Sequence, residues 1–405
     1  MADLRPFRGV RPPPDVVQQL VAPPYDVVNS DEARAGAKGN PRSFFRVSRP
    51  EVDLPPGTDE HAPEVYALGR RNLEAFLAER WLRQDPEAGF YLYRQRMGDH
   101  VQTGVVAAAS VAEYDRGLIQ KHELTRADKE EDRTRHVDAL GANDEPVFLT
   151  YRARASLDAL VAEGTRGPAE YDFTTSDGIH HTFWCVRGGL NARLEEAFRS
   201  VPSLYIADGH HRSAAASRVH ALRAARGQDG EHGRFLAVVF PHDQLRILDY
   251  NRVVKDLNGM APDTFLARLA ERFEVVRGTR KQPEGAHRFG MYLDGAWYQL
   301  AAKPGVVEPT PTGVLDVTIL QHNVLGPLLG IGDPRKDARI DFVGGIRGMP
   351  ELERRVDSGA ARVAFSLYPT GLDQLMAIAD AGDIMPPKST WFEPKLRSGL
   401  VLHLF

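Results

Sequence analysis

The strongest folding signal in this sequence lies near its middle. A short apolar run, residues 203–207, meets Asp208-Gly209-His210-His211-Arg212-Ser213, and an alanine-rich stretch over 211–226 follows and stops at Gly227. Alanine is the strongest helix former, and glycine is the residue that closes a helix in left-handed geometry. The pattern therefore predicts a strand, a tight turn and a helix. Such a unit needs a sheet to hold the strand and a second layer to cover the helix, which directs the chain to an α/β fold.

The flanking sequence extends that sheet. Residues 89–93 and 103–109 read as strands around a turn at 96–100, with 111–119 continuing the sheet. Residues 146–151 and 180–186 read as further strands, and 235–240 with 245–248 as another strand pair. A helix is expected over 64–79, after the proline-rich loop 50–63. The charge-dense segment 125–140 reads as a solvated helix with Thr125 as N-cap, carrying Glu131–Arg135 and Arg126–Glu130 pairs. Beyond residue 261 the pattern changes to helix 262–273, strands near 289–293 and 297–301, a helical run 314–325, a strand within 335–347, strand 361–367 and helix 371–380. With 405 residues the chain is long enough for two or three packed units. The expected architecture is α/β, more narrowly α+β, divided into an N-terminal wrapping segment with a helix (1–88), a central mixed-sheet core (89–260) and a C-terminal α+β unit (261–405).

Composition excludes several classes. Lys and Arg total 51 against 55 Asp and Glu, a formal charge of −4 without a basic block. A nucleic-acid binder draws much of its affinity from neutralised phosphates, so no nucleic acid is expected as partner. The single cysteine, Cys185, rules out an intrachain disulfide and a multi-thiolate metal site, and in its apolar setting it reads as an inert thiol. The first residues lack an apolar signal core, and the apolar stretch 105–109 is too short to span a bilayer. The expectation is a cytoplasmic protein that engages no membrane, and a homodimer is left open.

Chemistry concentrates in four places. The Gly209 turn can bring backbone amides to a phosphate at the positive end of a helix, with His210, His211 and Arg212 adding donors; alternatively Asp208 simply caps the helix. Asp208 beside two imidazoles could also ligate a divalent metal. The run Lys121-His122-Glu123-Leu124-Thr125-Arg126 places an acid where a strand ends and a helix begins, suited to a general base. Pro23-Pro24-Tyr25-Asp26 sets an acid on a rigid turn. The segment from Pro386 through Lys388, Trp391, Glu393 and Lys395 can close on a charged ligand or pack its aromatics into the core. Walker A, GxGxxG and GxSxG motifs are absent from the sequence.

Taken together, Ala22-Pro23-Pro24-Tyr25-Asp26-Val27, Lys121-His122-Glu123 with Thr125-Arg126, Asp208 to Arg212, Tyr250-Asn251-Arg252 and residues 386–400 resemble a bacterial and archaeal family of conserved domains of unknown function, over almost the whole chain. The Asp-Gly-His-His-Arg element also resembles the phosphate loop of the ParB/sulfiredoxin-like superfamily, which includes free L-serine kinases. The resemblance implies a ParB/sulfiredoxin-like core in which Asp208, Gly209, His210, His211, Arg212 and Ser213 hold phosphates. It further implies that Glu123 takes the acceptor's proton with His210, His211 and Arg212 assisting, and that Mg²⁺ bridges the phosphates with Asp208 as ligand. ATP, ADP or pyrophosphate would be the donor and L-serine the acceptor. Substrate contacts would come from Tyr25, Asp26, Lys121, His122, Arg126, Lys388, Trp391, Glu393 and Lys395, with Lys388, Lys395 or Arg397 for a carboxylate and Asp26 or Glu393 for an ammonium. Two other classes stay open: a non-catalytic, ParB-like nucleotide-binding regulatory module and a metal-dependent hydrolase.

Overall fold

The strand, turn and helix at the centre of the chain form as expected. In a computed structural model that describes residues 2–405, Leu204–Asp208 is a strand and His210–Ala225 a helix. Gly209 between them takes φ +100°, a backbone angle that side chains resist. At the far end the Gly227 N–H donates to the Ala224 carbonyl at 2.9 Å with φ +68°.

The strand enters a nine-stranded sheet. Across it run Ile119–Gln120, Leu204–Asp208, Val147–Tyr151, Arg234–Pro241, His100–Ser110, Tyr91–Met97, His180–Cys185 and Tyr171–Thr174, with Leu4–Arg5 pairing beside His100–Ser110. Leu204–Asp208 is parallel to Ile119–Gln120 and antiparallel to Val147–Tyr151, and the latter is parallel to Arg234–Pro241. The sheet is therefore mixed, and the fold is α/β. Alternation along the strands turns Val105, Ala107 and Ala109, Val147 and Leu149, Leu204 and Ile206, and Ala237 and Val239 into one buried cluster. Helices Ala155–Gly164, Leu190–Arg199 and His210–Ala225 close it with Leu157, Leu194, Phe198 and Ala214. Each large apolar side chain among these contributes roughly 1.5–3 kcal/mol on leaving water.

The chain divides into two units, one running to Leu245 and regaining Pro394–Phe405, the other Arg246–Glu393. This differs from the expected divisions at 88/89 and 260/261. Val10, Phe44, Phe45, Leu73 and Phe76 form an apolar cluster that Leu140, Ala142 and Leu402 complete. The second unit is built on an antiparallel six-stranded sheet in the order Phe273–Gly278, Ala296–Ala302, Arg288–Leu293, Val363–Leu367, Tyr250–Val254, Ile340–Gly344. The strand Arg246–Leu248 pairs there with Trp391–Glu393 instead of with its predecessor in sequence.

Two local expectations are corrected. Residues after Ser110 leave the sheet as a short helix, Val111–Asp115, because the Ser110 hydroxyl accepts from the Glu113 N–H at 3.3 Å and caps it. The helix Ala127–Leu140 starts after Arg126, not Thr125, and is not a solvated face, since Asp132, Arg133, Thr134, His136, Val137 and Leu140 are buried. The Glu131–Arg135 pair forms at 2.9 Å, whereas Arg126 pairs with Asp128. Among the described residues no helix is long and apolar enough to cross a membrane.

Candidate functional site

Parallel pairing creates the site. Leu204 and Tyr205 lie opposite Ile119 and Gln120, so both strands leave the sheet at the same edge. His122 and Glu123 come off one strand where Asp208, Gly209 and His210 come off the other, the edge at which open α/β sheets commonly bind ligands. A register shift between Ile206 and Asp208 interrupts pairing with Val147–Tyr151 and re-aims the Asp208 side chain.

Asp208 is held by two cations. Lys395 Nζ lies 3.0 Å from its Oδ2 and Arg212 Nη2 lies 3.7 Å away. Burial opposes the charge, yet Lys395 and then Arg212 hold the carboxyl well below the usual carboxylate range. The Arg212 guanidinium is itself buried and donates to the Pro146 carbonyl. Despite burial, the Asp208 charge keeps Arg212 firmly protonated. Lys395 is delivered by its backbone. Gln95 Nε2 donates to its carbonyl at 2.8 Å, and Ser398 exchanges two backbone hydrogen bonds with Ala22.

Beside this cradle stand two imidazoles and an acid. His122 and His210 are only 2% and 6% exposed, with ring centroids 4.4 Å apart at 87°. Glu123 Oε2 is 4.0 Å from His210 Nδ1, and its side chain keeps 38% exposure. Burial lowers the pKa of His122 to about 4 and that of His210 well below its ordinary value, so both rings are neutral at physiological pH. The next residue, His211, accepts the Arg126 N–H at 3.1 Å through Nε2, tying the start of one helix to the start of the other.

A buried carboxylate supports the loops. Glu145 Oε1 accepts the Tyr25 N–H at 3.0 Å and the Ser398 hydroxyl at 2.7 Å, joining the 22–26 turn to the C-terminal strap. Burial and then the neighbouring Asp144 raise its pKa. The Tyr25 ring stacks under Arg133 at 4.0 Å, and Arg133 pairs with Asp132 at 2.8 Å.

The family model described as "Protein of unknown function (DUF1015)" matches residues 4–318. The chain belongs to this family. A search of the curated proteins gives no match. Among solved structures, this DUF1015 member is similar to a conserved hypothetical protein from Pyrococcus furiosus, at 13% identity and TM-score 0.34, over 71% of this chain and 90% of that one. It is similar to a free serine kinase in complex with AMP, at 13% identity and TM-score 0.35, over 71% and 86%. It is also similar to SbnI with a C-terminal truncation from Staphylococcus aureus, at 11% identity and TM-score 0.39, over 72% and 85%. Scores this low carry no argument about activity, which rests on the side chains.

Of the residues singled out in the sequence, Glu123, His122, His210, Gly209, Asp208, Arg212 and Lys395 converge at one edge. Asp26, exposed on its turn, lies close enough to Arg212 and Glu145 to act on both charges. Others are placed elsewhere in this DUF1015 chain. Ser213 donates back to the Gly209 and His210 carbonyls inside its helix, which leaves no donor for a phosphate. Lys121 Nζ sits 3.7 Å over the Tyr114 ring, and the Arg126 side chain pairs with Asp128 at the surface. Arg397 is buried against Asp177, Thr175 and His181 and anchors the strap. Lys388, Trp391 and Glu393 belong to the second unit, where Lys388 lies 5.7 Å from the Tyr250 ring centroid and Trp391 Nε1 donates to Glu393 at 2.9 Å. Asp208 as a Mg²⁺ ligand does not fit, because Lys395 and Arg212 already claim its carboxylate and an oxygen-rich cage for that ion is not formed around it. Sequence reasoning missed Glu145 and Arg133. The acids of Asn143-Asp144-Glu145-Pro146, set against an apolar strand, were the available signal for the first.

Proposed function

We propose that this protein transfers a phosphoryl group from a phosphate donor to the hydroxyl of a small polar acceptor, with Glu123 as general base. The observation that carries the reading is the placement of the Glu123 carboxylate. It is partly exposed and 4.0 Å from His210, at the mouth of the Gly209 turn where the His210–Ala225 helix begins. First-turn helix amides have no intrahelical acceptor, and the helix dipole favours an anion there. A donor phosphate at this end would lie beside the Lys395 ammonium, while Asp208 and Arg212 set the position of that ammonium and of the turn.

In this mechanism Glu123 accepts the hydroxyl proton as the acceptor oxygen attacks the donor's terminal phosphorus, the bond from that phosphorus to the bridging oxygen breaks and the shortened donor leaves as its phosphate anion, while the amides and Lys395 stabilise charge on the transferring group. Neutral His122 and His210 line the approach without adding charge. Mg²⁺ would enter as the counter-ion of the donor's phosphates. The donor is expected to be ATP, ADP or pyrophosphate. L-serine is the first acceptor to test, given the motif resemblance of Asp208 to Arg212.

The test is phosphate transfer to free L-serine with each donor in buffer containing Mg²⁺, comparing the wild type with Glu123→Gln. Loss of a general base lowers turnover by about 10²-fold or more while donor binding stays near the wild-type value. Unchanged turnover in Glu123→Gln removes Glu123 from the mechanism, and absence of phosphoserine with every donor removes serine as the acceptor.

A further inference from the structure

Burying an imidazole strands its ring nitrogens unless each finds a partner, and a stranded buried nitrogen costs roughly 1–3 kcal/mol. Nε2 of His210 has no hydrogen-bond partner, and the Ile206 carbonyl is the one backbone group that one ring nitrogen of His122 faces, which leaves the other nitrogen without a partner. Both rings are more than nine-tenths buried and pack edge to face. One nitrogen from each ring and one Glu123 carboxylate oxygen lie within 4.8 Å of one another. Two imidazole nitrogens and a carboxylate oxygen are the donors that borderline divalent cations choose, whereas Mg²⁺ and Ca²⁺ take oxygen.

We propose that His122, Glu123 and His210 form a binding site for one borderline divalent transition-metal ion, of which Zn²⁺ is the reference case. A tetrahedral Zn²⁺ with bonds of about 2.0–2.1 Å holds its donors roughly 3.3–3.4 Å apart, so the cluster closes by on the order of 1 Å on binding. Glu123 supplies that movement, because its side chain is the exposed member of the three. Three protein ligands leave the fourth position to water or to an anion from solution, the arrangement of reactive rather than purely structural zinc. That open position lies beside the start of the His210–Ala225 helix, where an anion is favoured.

The inference does not rest on phosphoryl transfer. A Glu123 carboxylate bound to metal is a far weaker base, so the two roles compete for the same group, and metal binding is measured without donor or acceptor.

The experiment strips the full-length chain with chelator, dialyses it to equilibrium against micromolar Zn²⁺ and counts bound metal, with Co²⁺ substitution read by its visible ligand-field bands. One ion per chain is expected, with Co²⁺ bands of nitrogen and oxygen ligation. His122→Gln and Glu123→Gln are each expected to weaken binding by about 100-fold or more, since losing even an outer-shell partner costs 10–100-fold. The His220–His232 pair, with Nδ1 atoms 2.9 Å apart, is the control for adventitious binding, and His220→Gln should leave the stoichiometry unchanged. Melting temperatures without metal verify folding. If a histidine variant does not fold, Glu123→Gln at its partly exposed position decides the matter. Failure of the wild type to retain Zn²⁺, equal retention in Glu123→Gln, or displacement of Zn²⁺ by millimolar Mg²⁺ would each overturn the assignment.

Discussion

Gly209→Ala tests whether the turn that builds the site depends on a missing side chain. The added methyl meets two separate costs. At φ +100° it brings the strain of left-handed backbone, about 1–2 kcal/mol, offset by about 0.4–1 kcal/mol because alanine restricts the unfolded chain. It also lands 3.1–3.3 Å from Nε, Cζ and Nη2 of Arg212, tighter than ordinary van der Waals contact. That guanidinium is buried between the Pro146 carbonyl and Asp208, so pushing it aside weakens a charged hydrogen bond worth about 1.5–3 kcal/mol. The sum is a loss of about 3 kcal/mol. Gly98→Ala separates the two costs, because Gly98 also has positive φ, +59°, but a methyl there meets nothing within 4 Å. It should lose only about 1 kcal/mol or less. Both residues lie in the first unit, so urea unfolding followed by circular dichroism reads them on the same transition. If Gly209→Ala and Gly98→Ala lose stability equally, Arg212 is not confined as described and the positioning role assigned to it fails.

Two further outcomes follow from groups outside the site. In the second unit Asp316 is buried, and burial pushes its pKa up to about 7 although the His287 N–H, which donates to Oδ1 at 2.7 Å, and the Tyr368 backbone favour the charged form. The raised folded-state pKa favours the protonated carboxyl, so this contribution to stability is whole below the unfolded value near 4 and fades as pH climbs through 7, by on the order of 4 kcal/mol at about 1.4 kcal/mol per pKa unit. Asp316→Asn should flatten that part of the melting-temperature profile between roughly pH 4 and 8, and a profile identical to wild type refutes the burial argument. Burial likewise raises the Cys185 thiol to about 11, so its alkylation near pH 8 should run roughly 10²-fold slower than that of an ordinary thiol. Rapid labelling of the folded protein would show the thiol to be more open than its packing implies.

Features that a few consecutive residues decide were legible before any coordinates. Alanine spacing and two glycines specify the Leu204–Asp208 strand, its turn and the His210–Ala225 helix, because propensity and left-handed backbone act within one or two turns of chain. The acid after Ile119–Gln120 was legible for the same reason. The charges of Ala127–Leu140 misled, because charge marks a solvated surface only while its partners are unknown. Asp132 and Arg133 are buried where Tyr66, Tyr25 and each other satisfy them. Long-range packing brings Lys395 to Asp208 from 187 residues away, makes Arg397 an anchor and puts Lys388, Trp391 and Glu393 in another unit. The same holds for His122 against His210. Their contact comes from the parallel register of two strands separated by much of the domain, and register is a property of the whole sheet, set by which faces must leave water together.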